Sequence, residues 1–335
     1  MPPVSMMSTL YPLRLAPEFH KRIWGTRQLA PLYPGFTPDE PIGEAWLTGD
    51  ACTVANGALV GETLGALARR FGRELVGDSA PQPDQFPLLI KFLFPREKLS
   101  VQVHPDDAGA RALGQPCGKT ECWYVLAAEP GAQVALGLKP GVTKADLERA
   151  IRETRAEEVL NWLDVRPGEM IYVDAGTVHA IGGGSVLIEA QQNSDVTFRL
   201  YDYGRPRELH VDQGLAATKE RTCAGKVKRP AQNGSGELLV EAPCFEVRKE
   251  REEFVFQPAM RTTASCLVAL EGCGVLEWAG GDPVVFASGE AVIVPASVGA
   301  FRVRPQWEME VFWAKVPSHA AKEPEAVLYE SETQS

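Results

Sequence analysis

The sequence predicts a mainly β protein built of antiparallel sandwiches or barrels. Its 31 glycines and 26 prolines cut 335 residues into short segments. Most of those segments are rich in Val, Ile, Leu, Phe and Thr and follow one another closely, the rhythm of strands joined by turns. Helical periodicity is confined to two places.

Taken in order, the first helical place is 63–71, where Leu64, Leu67 and Phe71 form one stripe. Candidate strands follow at 88–93, 99–103 and 122–127. The second helix is read over 143–163, with Leu147, Ile151, Val159 and Leu163 on one face; bounded by Pro140-Gly141 and Pro167-Gly168, it is a helical insertion near 141–163. Strands resume at 169–173, 185–190 and 196–200. The stretch 226–237, KVKRPAQNGSGE, mixes charge, Pro, Gly and Ser without apolar periodicity and reads as a linker or long loop. Further strands fall at 245–250, 263–270, 284–286 and 291–294, and the polar tail 318–335 reads as frayed. At about 150 residues per domain the length suggests two: a first over 1–230 and a second over 236–317.

The charge balance excludes some functions. With 34 basic against 44 acidic side chains, the net charge of −10 repels phosphate backbones and argues against a nucleic-acid partner. A local basic pocket still permits a small phosphorylated substrate. The seven cysteines are odd in number, scattered and in no CxxC pair, so reduced thiols in the cytoplasm are expected. No leader or membrane span is read: the N-terminus lacks a basic start before an apolar run, and no window reaches about 18 apolar residues.

The chemistry concentrates between residues 91 and 205. In LSVQVHPDD, Gln102 and His104 stand two apart in a strand, so an amide oxygen and an imidazole point the same way. Alone, QxH more often marks a solvent face. Seventeen residues on, Glu121 opens the apolar strand ECWYVL. A buried carboxylate needs a partner, and a metal ion would supply one; exposure, or pairing with Lys119, would serve as well. RPGEMIYVDAGTVHAIG then gives a Pro-Gly turn, an apolar strand, Gly176 and His179. It is similar to the second motif of the cupins, with Asp174 where that motif has Pro. In cupins such a His closes a metal site, so Gln102, His104, Glu121 and His179 would make a cage for a divalent ion with open positions for substrate. Finally, in LIEAQQNSDVTFRLYDYGR the even spacing of Glu189, Asp195 and Arg199 puts them on one face if the strand is unbroken, Gln192-Asn193-Ser194 being the place where it can break. An Arg among carboxylates suits an anion or an enediolate; a surface ion pair is the plainer reading.

Together with KRIWG, IGEAWLTGD and KFLFPREKLSVQVHPDD, these segments resemble the type I mannose-6-phosphate isomerases, especially their shorter bacterial form. The resemblance runs from about Lys21 to Arg205 and implies two cupin-type barrels (double-stranded β-helix, or jelly-roll) in tandem. It implies a zinc-dependent aldose-ketose isomerase interconverting mannose 6-phosphate and fructose 6-phosphate, with one zinc per chain on Gln102, His104, Glu121 and His179. The family's catalytic arginine falls on Arg199, and further pocket residues on Glu44, Lys91, Ser100, Lys119, Glu189 and Asp195. The proton carrier is Glu189 or Lys91, with Glu189 preferred. A non-catalytic sugar-phosphate sensor and an iron-dependent cupin oxygenase are the rival readings.

Other candidates are read as structural. The second domain offers no QxH or HxH, only His319 beyond it, and is expected to be metal-free. Gly182 to Gly184 reads as a hairpin turn; Cys117, Cys122, His20 and His210 carry no ligand pattern.

Overall fold

The structure, a computed structural model, describes residues 10–228, 236–258 and 262–327. Three antiparallel sheets dominate it. The first orders its strands Glu18–Thr26, Ile42–Trp46, Leu88–Leu93, Ser185–Gln192, Glu121–Ala128, Met170–Val173, Gly225–Val227 and Ala326–Val327. The second orders Phe198–Tyr201, Val101–Val103, His179–Ile181, Gln133–Leu138 and Leu160–Asp164.

Strand alternation sorts the side chains of the first sheet. Leu93, Trp123, Val125, Ile171 and Leu187 turn inward onto Val134, Leu136 and Ile181 of the second sheet, so the two close into a sandwich-like barrel. On the outer face Cys122, Tyr124, Tyr172 and Ile188 pack against Leu239, Phe245, Val247 and Cys266 of the third sheet in one continuous core. The third sheet is built on two long strands, Ser265–Trp278 and Phe301–Lys315, which bend through bulges around Leu267, Leu276, Phe286 and Trp313.

The chain ends cross between these bodies. Leu13–Leu15 pairs with Ala291–Val294 in the third sheet, and Ala326–Val327 pairs with Gly225–Val227 in the first. The tail read as frayed is therefore anchored where it is described, Glu323 also accepting a hydrogen bond from the Tyr172 hydroxyl. Of the stretch read as a linker, 229–235 lies outside the described residues, while Lys226 and Gly236 already belong to strands.

The helix read over 143–163 is shorter. It covers Lys144–Arg152, started by a capping box between Thr143 and Asp146. Thr154 then takes φ +57°, in the left-handed region, which ends the helix. The aromatic and branched residues that follow form the strand Leu160–Asp164 on the edge of the second sheet. Gly182 to Gly184 is not a hairpin turn, because it joins His179–Ile181 of one sheet to Ser185–Gln192 of the other. A Cβ at Gly183 would stand 2.6 Å from the Arg96 carbonyl, so the crossover passes too close for any larger residue.

Candidate metal centre

Two strand rows face each other across the barrel. On the second sheet Arg199, Gln102 and His179 are neighbours in register; on the first, Glu121 stands opposite Gln191, and Lys91 opposite Glu189. His104, two residues past Gln102, keeps the same direction just beyond its strand. The turn that delivers His179 needs Gly176 at φ +95°, and the Gly176 amide donates to the His104 carbonyl at 2.9 Å. Asp174 caps this turn: its Oδ1 accepts from Thr177 Oγ1 at 2.8 Å and from the Cys223 amide at 3.1 Å, bonds that a proline side chain could not make.

His104, Glu121 and His179 are buried, with ligand atoms within 4.8 Å of one another. The Nδ1 of His104 donates to the Val196 carbonyl and that of His179 to the Thr177 carbonyl, each at 2.9 Å. Those bonds fix the tautomers and leave both Nε2 lone pairs aimed at the Glu121 carboxylate, at 3.5 and 3.3 Å. Lone pairs facing a carboxylate repel one another unless a cation lies among them. Lys119 Nζ brings one positive charge, 3.2 Å from both Glu121 Oε2 and His104 Nε2, yet that Oε2 is buried without a hydrogen bond. Burial holds both imidazoles neutral. It drives His104 well below its ordinary pKa, with Lys119 and His179 adding to the effect, and brings His179 down to about 4. Two neutral imidazoles and a carboxylate are the borderline nitrogen and oxygen donors that zinc accepts.

Gln102 completes the ring from the side. Its Nε2 is 3.2 Å from His179 Nε2, and its Oε1 accepts from Ser100 Oγ at 3.1 Å. Turning the amide over presents oxygen to a metal, and the Ser100 hydroxyl, donor and acceptor alike, satisfies either orientation.

The centre opens into a cavity of about 420 Å³ lined by Glu44, Lys91, Ser100, Lys119, Glu189, Asp195 and Arg199 with Gln102 and Glu121. Every candidate site residue read from the sequence therefore lies at this cavity or at the His104–Glu121–His179 cluster beneath it. Glu189 and Arg199 do not share one strand. The chain leaves the first sheet at Gln192 and enters the second at Phe198, so they approach from opposite walls.

Charge alternates along the floor. Lys91 Nζ is 3.2 Å from Glu189 Oε1, and Lys119 Nζ 4.0 Å from the same oxygen. Burial alone would lower Lys91, but Glu189 and Glu44 hold its ammonium above the ordinary lysine range. Burial and Glu121 raise Glu189 against the pull of Lys91 and Lys119. Burial would raise Glu44 too, yet Lys91, Arg22 and the Trp46 indole bring it down to about 2.

Sequence reasoning missed Arg22, Trp24 and Arg207, which also line the cavity. Arg207 is gripped through Nε and Nη2 by both oxygens of Asp202, at 2.6 and 2.7 Å, leaving Nη1 for an anion. Arg199 Nη1 donates to the Glu208 carbonyl at 2.7 Å while its buried Nε has no partner. Burial and the neighbouring Arg207 lower the Arg199 pKa. The signal was the RPRELH run after Arg199, where basic residues alternate with others. His20 packs against Trp46 with centroids 4.3 Å apart and the rings tilted by 41°, and the His210 amide donates to the Arg199 carbonyl, so both support the walls. Among the described residues no other group of three His, Cys, Asp or Glu converges as a metal site. No helix among them is long and apolar enough to cross a membrane.

Known proteins share this architecture. A family model of the type I phosphomannose isomerase catalytic domain matches residues 12–131. The mannose-6-phosphate isomerase of Streptococcus mutans is 39% identical over 252 residues, 71% of this chain and 78% of the relative. Mannose-6-phosphate isomerase ManA of Bacillus subtilis is 40% identical over 220 residues, 62% of this chain and 68% of the relative. The crystal structure of the mannose 6-phosphate isomerase from Bacillus subtilis superposes with a TM-score of 0.80 at 30% identity, covering 90% of this chain and 99% of that one. A zinc-bound mannose 6-phosphate isomerase structure shares the fold, with a TM-score of 0.73 at 16% identity.

Proposed function

The chain belongs to the type I mannose-6-phosphate isomerase family, and from that premise we propose that it interconverts mannose 6-phosphate and fructose 6-phosphate with one zinc ion on Gln102, His104, Glu121 and His179. The observation that carries the reading is the pair of neutral Nε2 lone pairs turned on a buried carboxylate. A bound zinc supplies a Lewis acid for the carbonyl and hydroxyl oxygens of the sugar.

The chain's own groups supply the rest. Moving a carbonyl between adjacent carbons requires taking a proton from one and returning it to the other through an enediolate. Glu189, with its raised pKa and its place on the cavity wall, carries that proton. Lys91 stays an ammonium and serves as a fixed positive charge. Arg199, with Nε unpartnered, stabilises the developing oxyanion from the opposite wall. The phosphate lies toward Arg207, whose guanidinium is preset by Asp202. Lys119, pressed against Glu121 and His104, serves the sugar end rather than the phosphate.

The seven free cysteines fit a reducing cytoplasm. A coupled isomerase assay with and without chelator tests the function: turnover lost on chelation and restored by zinc supports it. Metal binding without turnover would leave a sensor, and oxygen uptake an oxygenase.

A further inference from the structure

We infer that Gln191 positions His104 for metal binding, by pinning the segment whose carbonyl holds the His104 ring. The inference rests on the metal-centre reading above. Gln191 is fully buried on the inner face of the Ser185–Gln192 strand, directly opposite Glu121. Its Nε2 donates to the Gln192 carbonyl at 2.9 Å and to the Ser194 carbonyl at 2.6 Å, while its Oε1 has no partner. A buried amide oxygen left unsatisfied is costly, so the side chain's value lies in its two donors.

What those donors hold is the crossing from one sheet to the other. Residues 194–197 lie outside both sheets. There the Val196 amide donates to Ser194 Oγ at 3.4 Å, and the Val196 carbonyl accepts from His104 Nδ1 at 2.9 Å. A continuous path of hydrogen bonds and backbone thus runs from the Gln191 amide through Ser194 and Val196 to the imidazole. The same crossing presents Asp195 to the cavity. Outer partners of metal-bound histidines set ring orientation, and losing one typically costs about 10- to 100-fold in metal affinity.

The test is zinc affinity, measured on full-length protein by competition with the chromophoric chelator 4-(2-pyridylazo)resorcinol. Gln191→Met keeps the volume and removes both donors; Gln191→Glu keeps the length and turns a carboxylate toward two carbonyls. Each is expected to weaken zinc binding at least tenfold. Ile188→Val, on the outer face of the same strand, is the stability control and is expected to lower Tm while keeping zinc affinity within twofold. Gln191 variants that melt earlier but bind zinc within twofold of wild type overturn the inference, making Gln191 a structural residue. A wild-type protein that binds no zinc overturns the metal-centre reading itself.

Discussion

Lys91 and Glu189 stand directly opposite one another on adjacent antiparallel strands, both buried, with Nζ 3.2 Å from Oε1. The pair separates two candidates for the proton carrier that sequence left side by side. Glu44 and Glu189 stabilise the ammonium from both sides and so take the lysine out of the range of a base at neutral pH. Glu189→Gln should lower kcat by about 10² to 10⁴ while zinc content stays at wild-type level. Lys91→Met removes a positive charge from beside Glu189, so the pKa of that carboxyl rises. The acid limb of the kcat/KM profile should then move to higher pH. Turnover abolished at every pH in Lys91→Met, with Glu189→Gln active, would reverse the assignment.

The proposed metal ligands predict a sharper loss. His104→Ala and His179→Ala should each lose stoichiometric zinc and activity together, read by elemental analysis of folded protein. His319, exposed and bonded to Glu241 at 2.7 Å, lies outside the group of converging ligands, and His319→Ala should change neither. A folded His104→Ala protein that retains full zinc contradicts the site.

Protons compete for the same imidazoles. His179 has its folded pKa brought down to about 4 by burial, against about 6.5 in the unfolded chain. Between those values the unfolded state binds more protons, so stability is fully present above about pH 6.5 and is lost as pH falls toward 4. Chelator-treated protein should lose about 3 kcal/mol from this histidine across that window, before any contribution from His104. Denaturant melts of wild type and His179→Gln at pH 4.5 and pH 7 give the comparison. Equal pH slopes in the two proteins would mean that His179 is not held neutral.

Much of the site was legible because its signals are local. Gln102 and His104 stand two apart at the end of one strand, Glu121 opens an apolar strand, and Gly176 announces the turn before His179. What sequence could not show is which strands meet. Even spacing put Glu189 and Arg199 on one face only if the strand ran unbroken; it ends at Gln192, and 193–197 carries the chain between sheets, so the two stand on opposite walls. The helix beyond Arg152 was misread for a related reason: Val159 and Leu163 extend the helical stripe of Leu147 and Ile151, but Val159 ends the short 3-10 helix Ala156–Val159 and Leu163 pairs with Val134 in the second sheet. Arg22 lies in KRIWG and Arg207 in RPRELH, but neither run shows where its arginine points; their roles come from Glu44 and Asp202, which orient them.

In the proposed reaction the two guanidiniums divide the work of binding and turnover. Arg199 acts on charge that develops in the transition state, so Arg199→Ala should lose about 10² to 10³ in kcat with a smaller change in KM. Arg207, oriented by Asp202 toward the phosphate end, contributes in ground and transition states alike, so Arg207→Ala should raise KM most. Steady-state kinetics on zinc-loaded variants decide. A rise confined to KM in Arg199→Ala would make it a binding residue and exchange the two roles.

The proposed metal ligands all lie within residues 102–179, yet the residues around them are not expected to fold without the third sheet. Leu13–Leu15 finds its ladder partners at Ile293, Val292 and Ala291. The outer face of the first sheet, including Tyr124, Tyr172 and Ile188, is buried against Leu239, Phe245 and Val247. Lys249 Nζ donates to the Tyr124 hydroxyl across that boundary at 2.8 Å. Each large apolar side chain uncovered costs about 1.5 to 3 kcal/mol, and a domain has only about 5 to 15 kcal/mol in all. A chain ended at residue 228 should therefore be insoluble or melt without cooperativity, and should not hold zinc. A soluble fragment with a single cooperative transition and one bound zinc would show instead that the first two sheets form an independent unit, with the third sheet only packed upon it.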